Sequence, residues 1–153
     1  MTQEIFEAIK ALQQCNINCI NVVSHLTHAQ TIVLLTIGDY ISKKSAPPQP
    51  SYLSEVLRVA PASITPVLNK LDDTGFIERI YSKQDRRQVF LQLTKNGEQE
   101  YKQMSKQINA YYAKVIDEVG IDLIKQFIDF GKKIETFNSN FIASPHIPPF
   151  INE

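Results

Sequence analysis

The chain has 153 residues, 43% of them hydrophobic and 21% charged, which suits one domain with a real core and excludes a disordered or collagen-like polymer. Sixteen basic residues balance sixteen acidic ones, so the molecule as a whole is no electrostatic sponge for nucleic acid. Two cysteines and five glycines supply neither a disulfide framework nor a phosphate-cradling loop, and with no nucleophile elbow or metal-spaced cluster, neither an enzyme nor a bound metal or cofactor is expected.

No run approaches the ~20 apolar residues that span a bilayer, and the first ten residues lack the basic-then-apolar layout of a signal peptide; a cytoplasmic protein without membrane contact is expected. Ile5, Ile9, Leu12, Asn16, Ile20 and Val23 recur at steps of three and four, predicting a helix over 3–23 with one polar interruption. Thr27 and Gln30 have the spacing of a capping box that opens a second helix running to about Ser42.

The stretch "SAPPQPS" then forbids helix continuation and predicts a connecting loop. Ser51 is the expected N-cap of a short helix, Tyr52 to Arg58, with Leu53, Val56 and Leu57 on its apolar face. In "VAPASITPVLNKLDDTGFI", Pro61 suits a first helical turn, Ile64, Val67, Leu68 and Leu71 share one face, and Gly75 supplies the stop. Its opposite face carries Ala62, Ser63, Thr65, Pro66, Asn69 and Lys70, and the interior Pro66 predicts a bend or a late start.

Strands are expected over Phe76 to Ile80 and Gln88 to Leu93, with a hairpin tip at Ser82 to Arg87. Between Arg79 and Lys95 stand five basic residues (Arg79, Lys83, Arg86, Arg87 and Lys95) against Asp85 alone, a local charge of +4 in a neutral chain. After Thr94, a candidate N-cap, Tyr101, Met104, Ile108, Tyr111, Tyr112, Val115 and Val119 predict a long helix ended by Gly120. Leu123, Ile124, Phe127, Ile128, Ile134 and Phe137 predict another over 121–138, and "SPHIPPFINE" closes the chain as an extended tail.

Two short tandem helices, the second with small outward side chains, followed by a cationic hairpin, make a winged helix-turn-helix. Short side chains let the second helix enter a major groove about 12 Å wide. Ser63, Thr65 and Asn69 are then candidates for base edges or phosphates, Ala62 and Pro66 for a thymine methyl, and Lys70 and Arg79 for phosphates. At the tip, Arg86 or Arg87 reaches a narrow minor groove while Asp85 orients a neighbouring guanidinium.

The segment "DRRQVFLQLTKNG" resembles the wing and wing exit of MarR transcriptional regulators, in which Asp-x-Arg precedes an alternating strand and Leu-Thr-x-x-Gly; "LSEVLRVAPASITPVLNKLDDTGFI" resembles that family's helix-turn-helix. The resemblance implies a mainly α fold with a two-stranded β wing, one domain over 1–153, with a DNA-binding lobe at 27–93, dimerisation helices at 3–25 and 95–140 and a tail at 141–153. It also implies Arg87 as the minor-groove arginine with Asp85 as its partner, Arg86 on a phosphate, and a homodimer on a pseudo-palindromic double-stranded DNA operator. A repressor released by a small-molecule effector or an oxidant follows from the same likeness. "ITPVLNK" further resembles the recognition helix of the peroxide-sensing OhrR branch, but Cys15, followed by Asn16, does not align with that branch's sensing cysteine. Ala60 and Arg58 stand where the family usually has an N-cap serine and a turn glycine.

Cys15 and Cys19, on consecutive turns, are the candidate redox or effector residues, with small buried hydrophobes the plainer reading. Tyr101, Tyr111 and Tyr112 read as dimer core before they read as an effector pocket. The rival to DNA binding is a winged-helix module that contacts only other proteins.

Overall fold

A computed structural model of the chain describes residues 25–142 together with Gln3, Glu7 and Lys10, with side chains described through Phe137. Of the predicted helix over 3–23 only Gln3, Glu7 and Lys10 are described, each helical; Cys15, Cys19 and residues 143–153 of the C-terminal tail lie outside the described residues, while residues 141–142, expected in the tail, still belong to the last helix. The described elements are α1 (His28–Lys44), α2 (Pro50–Leu57), α3 (Pro61–Asp73), β1 (Ile77–Tyr81), β2 (Val89–Leu93), α4 (Lys95–Val119) and α5 (Ile121–Ile142). The backbone divides into two compact units, Met1–Ala110 and Tyr111–Glu153.

In the first unit α1 opens on the expected capping box: the Gln30 amide donates to Thr27 Oγ1 at 3.3 Å, and the Thr27 amide donates to Gln30 Oε1 at 2.9 Å. Its Val33, Leu34 and Ile37 are buried with Leu53 of α2, Ile64, Leu68 and Leu71 of α3, Ile77, Leu91 and Leu93 of the hairpin, and Met104 of α4. Each such side chain contributes about 1.5–3 kcal/mol when removed from water, so this one cluster fixes how α3 and the hairpin are held.

Several boundaries depart from expectation for local reasons. Ser51 is not the cap of α2: the helix starts earlier, with Gln49 in the cap position and Pro50 at N1, where its fixed φ is already helical and its missing N–H is no loss. Val56 is not on the buried face but 49% exposed. Arg58 takes the left-handed conformation, φ 54°, that a glycine usually supplies, and Val59 N–H closes the turn on the Ser54 carbonyl at 3.1 Å. The late start of α3 does not occur, because Pro66 interrupts a single rung at an exposed position while the helix runs unbroken from Pro61.

α3 ends in a Schellman motif: Gly75 has φ 73°, its N–H reaches the Asp72 carbonyl and the Phe76 N–H reaches the Leu71 carbonyl, each at 2.9 Å. Phe76 and Leu71 are both buried, which supplies the apolar contact that accompanies this motif. β1 and β2 pair antiparallel with Ile77 opposite Leu93 and Tyr81 opposite Val89, each strand one residue from its expected start. The proline-rich connector is more than a linker, since the buried Pro48 offers its carbonyl to Leu91 N–H at 2.9 Å and so occupies part of the outer edge of β2.

Thr94 ties the hairpin exit to both neighbours. Its hydroxyl donates to the Gly75 carbonyl at 2.6 Å and accepts from Gly97 N–H at 3.1 Å, capping α4. A β-carbon on Gly97 would run into the Phe76 carbonyl, which is why this position of α4 has none. Gly38 of α1 likewise makes room for the ring of Tyr101. Tyr101, expected in a dimer core, instead packs on α1 and donates to Asp39 Oδ1 at 2.8 Å.

In the second unit the last turns of α4 lead through Gly120, φ 87°, into α5. Tyr111 and Tyr112 meet edge to face with centroids 5.6 Å apart. Ile116, Val119, Leu123, Phe127, Phe130, Ile134 and Phe137 are all exposed. Among the described residues no helix is long and apolar enough to cross a membrane.

Candidate nucleic-acid interface

The apolar face of α3 turns Ile64, Leu68 and Leu71 inward, and helical geometry then forces the remaining positions out. Ala62, Ser63, Thr65, Pro66, Asn69 and Lys70 are all exposed, so the structure gathers the six expected residues on one open face. Thr65 is partly engaged, its hydroxyl donating to the Pro61 carbonyl at 3.1 Å in the first turn. Ala60 precedes the helix without a side-chain cap, leaving the first N–H groups of α3 unclaimed by any capping side chain.

The hairpin projects from the same lobe. Beyond Tyr81 and Val89 the loop is closed by Ser82 N–H on the Gln88 carbonyl at 3.0 Å, with Ser82 Oγ accepting from the amides of Gln84 and Asp85 at 3.2 and 3.3 Å. Lys83, Asp85, Arg86 and Arg87 are exposed there. The expected Asp85–guanidinium pairing is not formed: Asp85 Oδ1 accepts from the main-chain N–H of Arg87 at 3.0 Å, a short Asx-type turn. The carboxylate therefore shapes the loop that carries Arg87, while the Arg86 and Arg87 guanidinium groups make no ion pair among the described residues. Tyr81, Ser82, Lys83 and Arg86 line an open hollow of about 470 Å³ beside the tip.

Arg79 differs from the other wing cations. It is half-buried at the middle of β1, where its Nη2 donates to Asn69 Oδ1 at 2.6 Å and its Nε lies 3.8 Å from Asp72 Oδ2. Sequence periodicity cannot reveal this bridge between wing and helix, because the two residues sit ten positions apart on different elements. Tyr101, Gly38, Ile41, Ser42, Gln92, Leu93, Glu98 and Lys102 line a separate cavity of about 210 Å³ between α1, β2 and the start of α4. Among the described residues no group of His, Cys, Asp and Glu side chains is placed to hold a metal ion.

A helix pair, an outward polar recognition face and a cationic two-stranded ribbon on one core define a winged helix-turn-helix protein. Residues 26–89, from the approach to α1 through the first residue of β2, match the MarR family model. The HTH-type transcriptional regulator FarR of Neisseria gonorrhoeae is 29% identical over 76 residues, covering 48% of this chain and 52% of that protein, so the match spans about half the length of this curated relative. FabT of Streptococcus pneumoniae, solved in complex with DNA, is similar with a TM-score of 0.71 and 26% identity over 92% of this chain and 99% of that one. PcaV of Streptomyces coelicolor, solved with its natural ligand, shares the fold at a TM-score of 0.68 and 16% identity, over 84% of this chain and 89% of that one. Residues 26–89 are thus similar in sequence to the MarR family of winged helix-turn-helix transcriptional regulators, a family of regulators rather than enzymes, and the fold is the one these regulators share.

Proposed function

We propose that the protein is a sequence-specific, double-stranded DNA-binding repressor that acts as a homodimer on a pseudo-palindromic operator. The observation that carries this is the shared presentation of α3 and the wing: six exposed small or polar residues of one helix stand on the same lobe as the exposed Lys83, Arg86 and Arg87. Short groups on α3 suit base edges, and the wing cations suit phosphates and the narrow minor groove, so affinity and sequence reading come from different elements. Dimerisation is supported by Leu123, Phe127, Phe130, Ile134 and Phe137, exposed at alternating steps of four and three along α5, the spacing of a helix seam that lacks its partner. Two copies would place their recognition helices on half-sites about one turn of DNA apart.

Release by a small ligand or an oxidant is the regulatory part of the proposal. The cavity beside Tyr101 supports the ligand route, since its Ser42, Tyr101 and Lys102 offer polar groups against an apolar floor of Ile41 and Leu93. Cys15 and Cys19 are the residues for the oxidant route, checked by serine substitution.

The test is fluorescence anisotropy of the purified protein on the DNA upstream of its own gene, beside Ser63→Ala and Arg87→Ala. Binding that falls about tenfold or more in each variant, with the fold intact, is expected. Wild-type affinity in both, or no binding by the intact protein, transfers the cationic hairpin to a protein partner.

A further inference from the structure

Asn69 is the recognition-helix residue whose amide is already engaged from the wing. A free asparagine amide turns either end toward a base, pairing its donor and acceptor with adenine N6 and N7. Here the choice is closed by chemistry: a guanidinium has five donors and no acceptor, so only the amide oxygen can face Arg79. The 2.6 Å bond is charge-assisted, and it draws on the same oxygen that adenine N6 would need. Nδ2, with two hydrogens and no partner among the described residues, is turned away from Arg79. The Asp72 carboxylate beside Nε offsets the guanidinium charge, and the Arg79 side chain is only 29% exposed, a poor setting for a phosphate clamp.

We infer that Arg79 is the positioning residue of Asn69, holding its amide with Nδ2 toward the duplex, so that Asn69 acts as a donor reading the O6 and N7 acceptors of guanine in the major groove. This rests on the DNA-binding reading above and makes Arg79 a determinant of specificity that acts through another side chain. A phosphate contact would add about 0.9 to the slope of log affinity against log salt, whereas a positioning residue adds nothing to it and changes base preference instead.

The full-length protein is used to select from a randomised duplex library, and the selected duplex and its single-base variants are then titrated by anisotropy at several salt concentrations. The wild type is expected to prefer guanine at one position of each half-site by on the order of tenfold. Asn69→Ala and Arg79→Met should flatten that same position, the double variant doing no more than either, with the salt slope unchanged. Asn69→Asp keeps a partner for Arg79 and should fold as the wild type does, yet it has no donor hydrogens and should lose the guanine preference. Arg79→Lys, which keeps the charge without the fork, should weaken it. Retained base preferences with a salt slope lowered by about one in Arg79→Met would make Arg79 a phosphate contact and overturn the inference, as would adenine at the Asn69-dependent position. Failure of the wild type to enrich any duplex would remove the DNA-binding reading itself, and this inference with it.

Discussion

Gly97 shows how much of this lobe depends on single atoms. The first turn of α4 passes so close to Phe76 that a methyl group has nowhere to go, and Thr94 holds that approach by bridging the Gly75 carbonyl and the Gly97 amide. Gly97→Ala is therefore expected to destabilise the protein by roughly 3 kcal/mol, read as a lowered midpoint in urea denaturation. A midpoint like that of the wild type would contradict this close approach. The Leu-Thr-x-x-Gly run was legible as a signature and Thr94 as a cap, but the reason for the glycine was not, because the atom it avoids belongs to a carbonyl 21 positions earlier. Asp85 teaches the same lesson: charge arithmetic pairs it with an arginine side chain, whereas its nearest donor is a backbone amide two residues on.

At the scale of elements, periodicity and caps located α1, α3, the hairpin, α4 and α5 to within a few residues, since each has an apolar stripe or a stop residue of its own. Prolines were the weak point. Pro50 begins a helix rather than extending a loop, Pro48 supports the edge of β2, and Pro66 rides inside α3. Pro66 leaves the Ala62 carbonyl without its helical partner, so Pro66→Ala should restore one rung and raise stability by about 1–3 kcal/mol. If Pro66 touches the duplex as proposed, the same variant binds DNA more weakly while melting higher. Calorimetry beside a DNA titration separates the two effects, and a variant that gains neither stability nor loses affinity would contradict this account of α3.

For the whole molecule, the exposed seam of α5 is the feature that the described chain alone leaves uncovered. The sequence announced most of that stripe but passed over Phe130, which completes the alternating four-three spacing and is 53% exposed. Phe127→Glu combined with Phe130→Glu should place charge in the proposed interface and yield a monomer by analytical ultracentrifugation, with DNA affinity reduced at least tenfold by loss of the second half-site. A dimer that survives both changes would locate the interface elsewhere. What periodicity could not disclose at this scale is the bridge between wing and recognition helix, since Arg79 and Asn69 meet only after the core has brought two elements together.

The central claim is that this lobe binds duplex DNA through the cationic wing and α3 together. Its most direct test is the salt dependence of binding to the upstream duplex, wild type beside Arg87→Ala. The account predicts a linear fall of log affinity with log salt whose slope is shallower by about one in Arg87→Ala, reflecting the loss of one minor-groove cation that displaces a condensed counterion. A slope near zero, or one unchanged by the substitution, would contradict it.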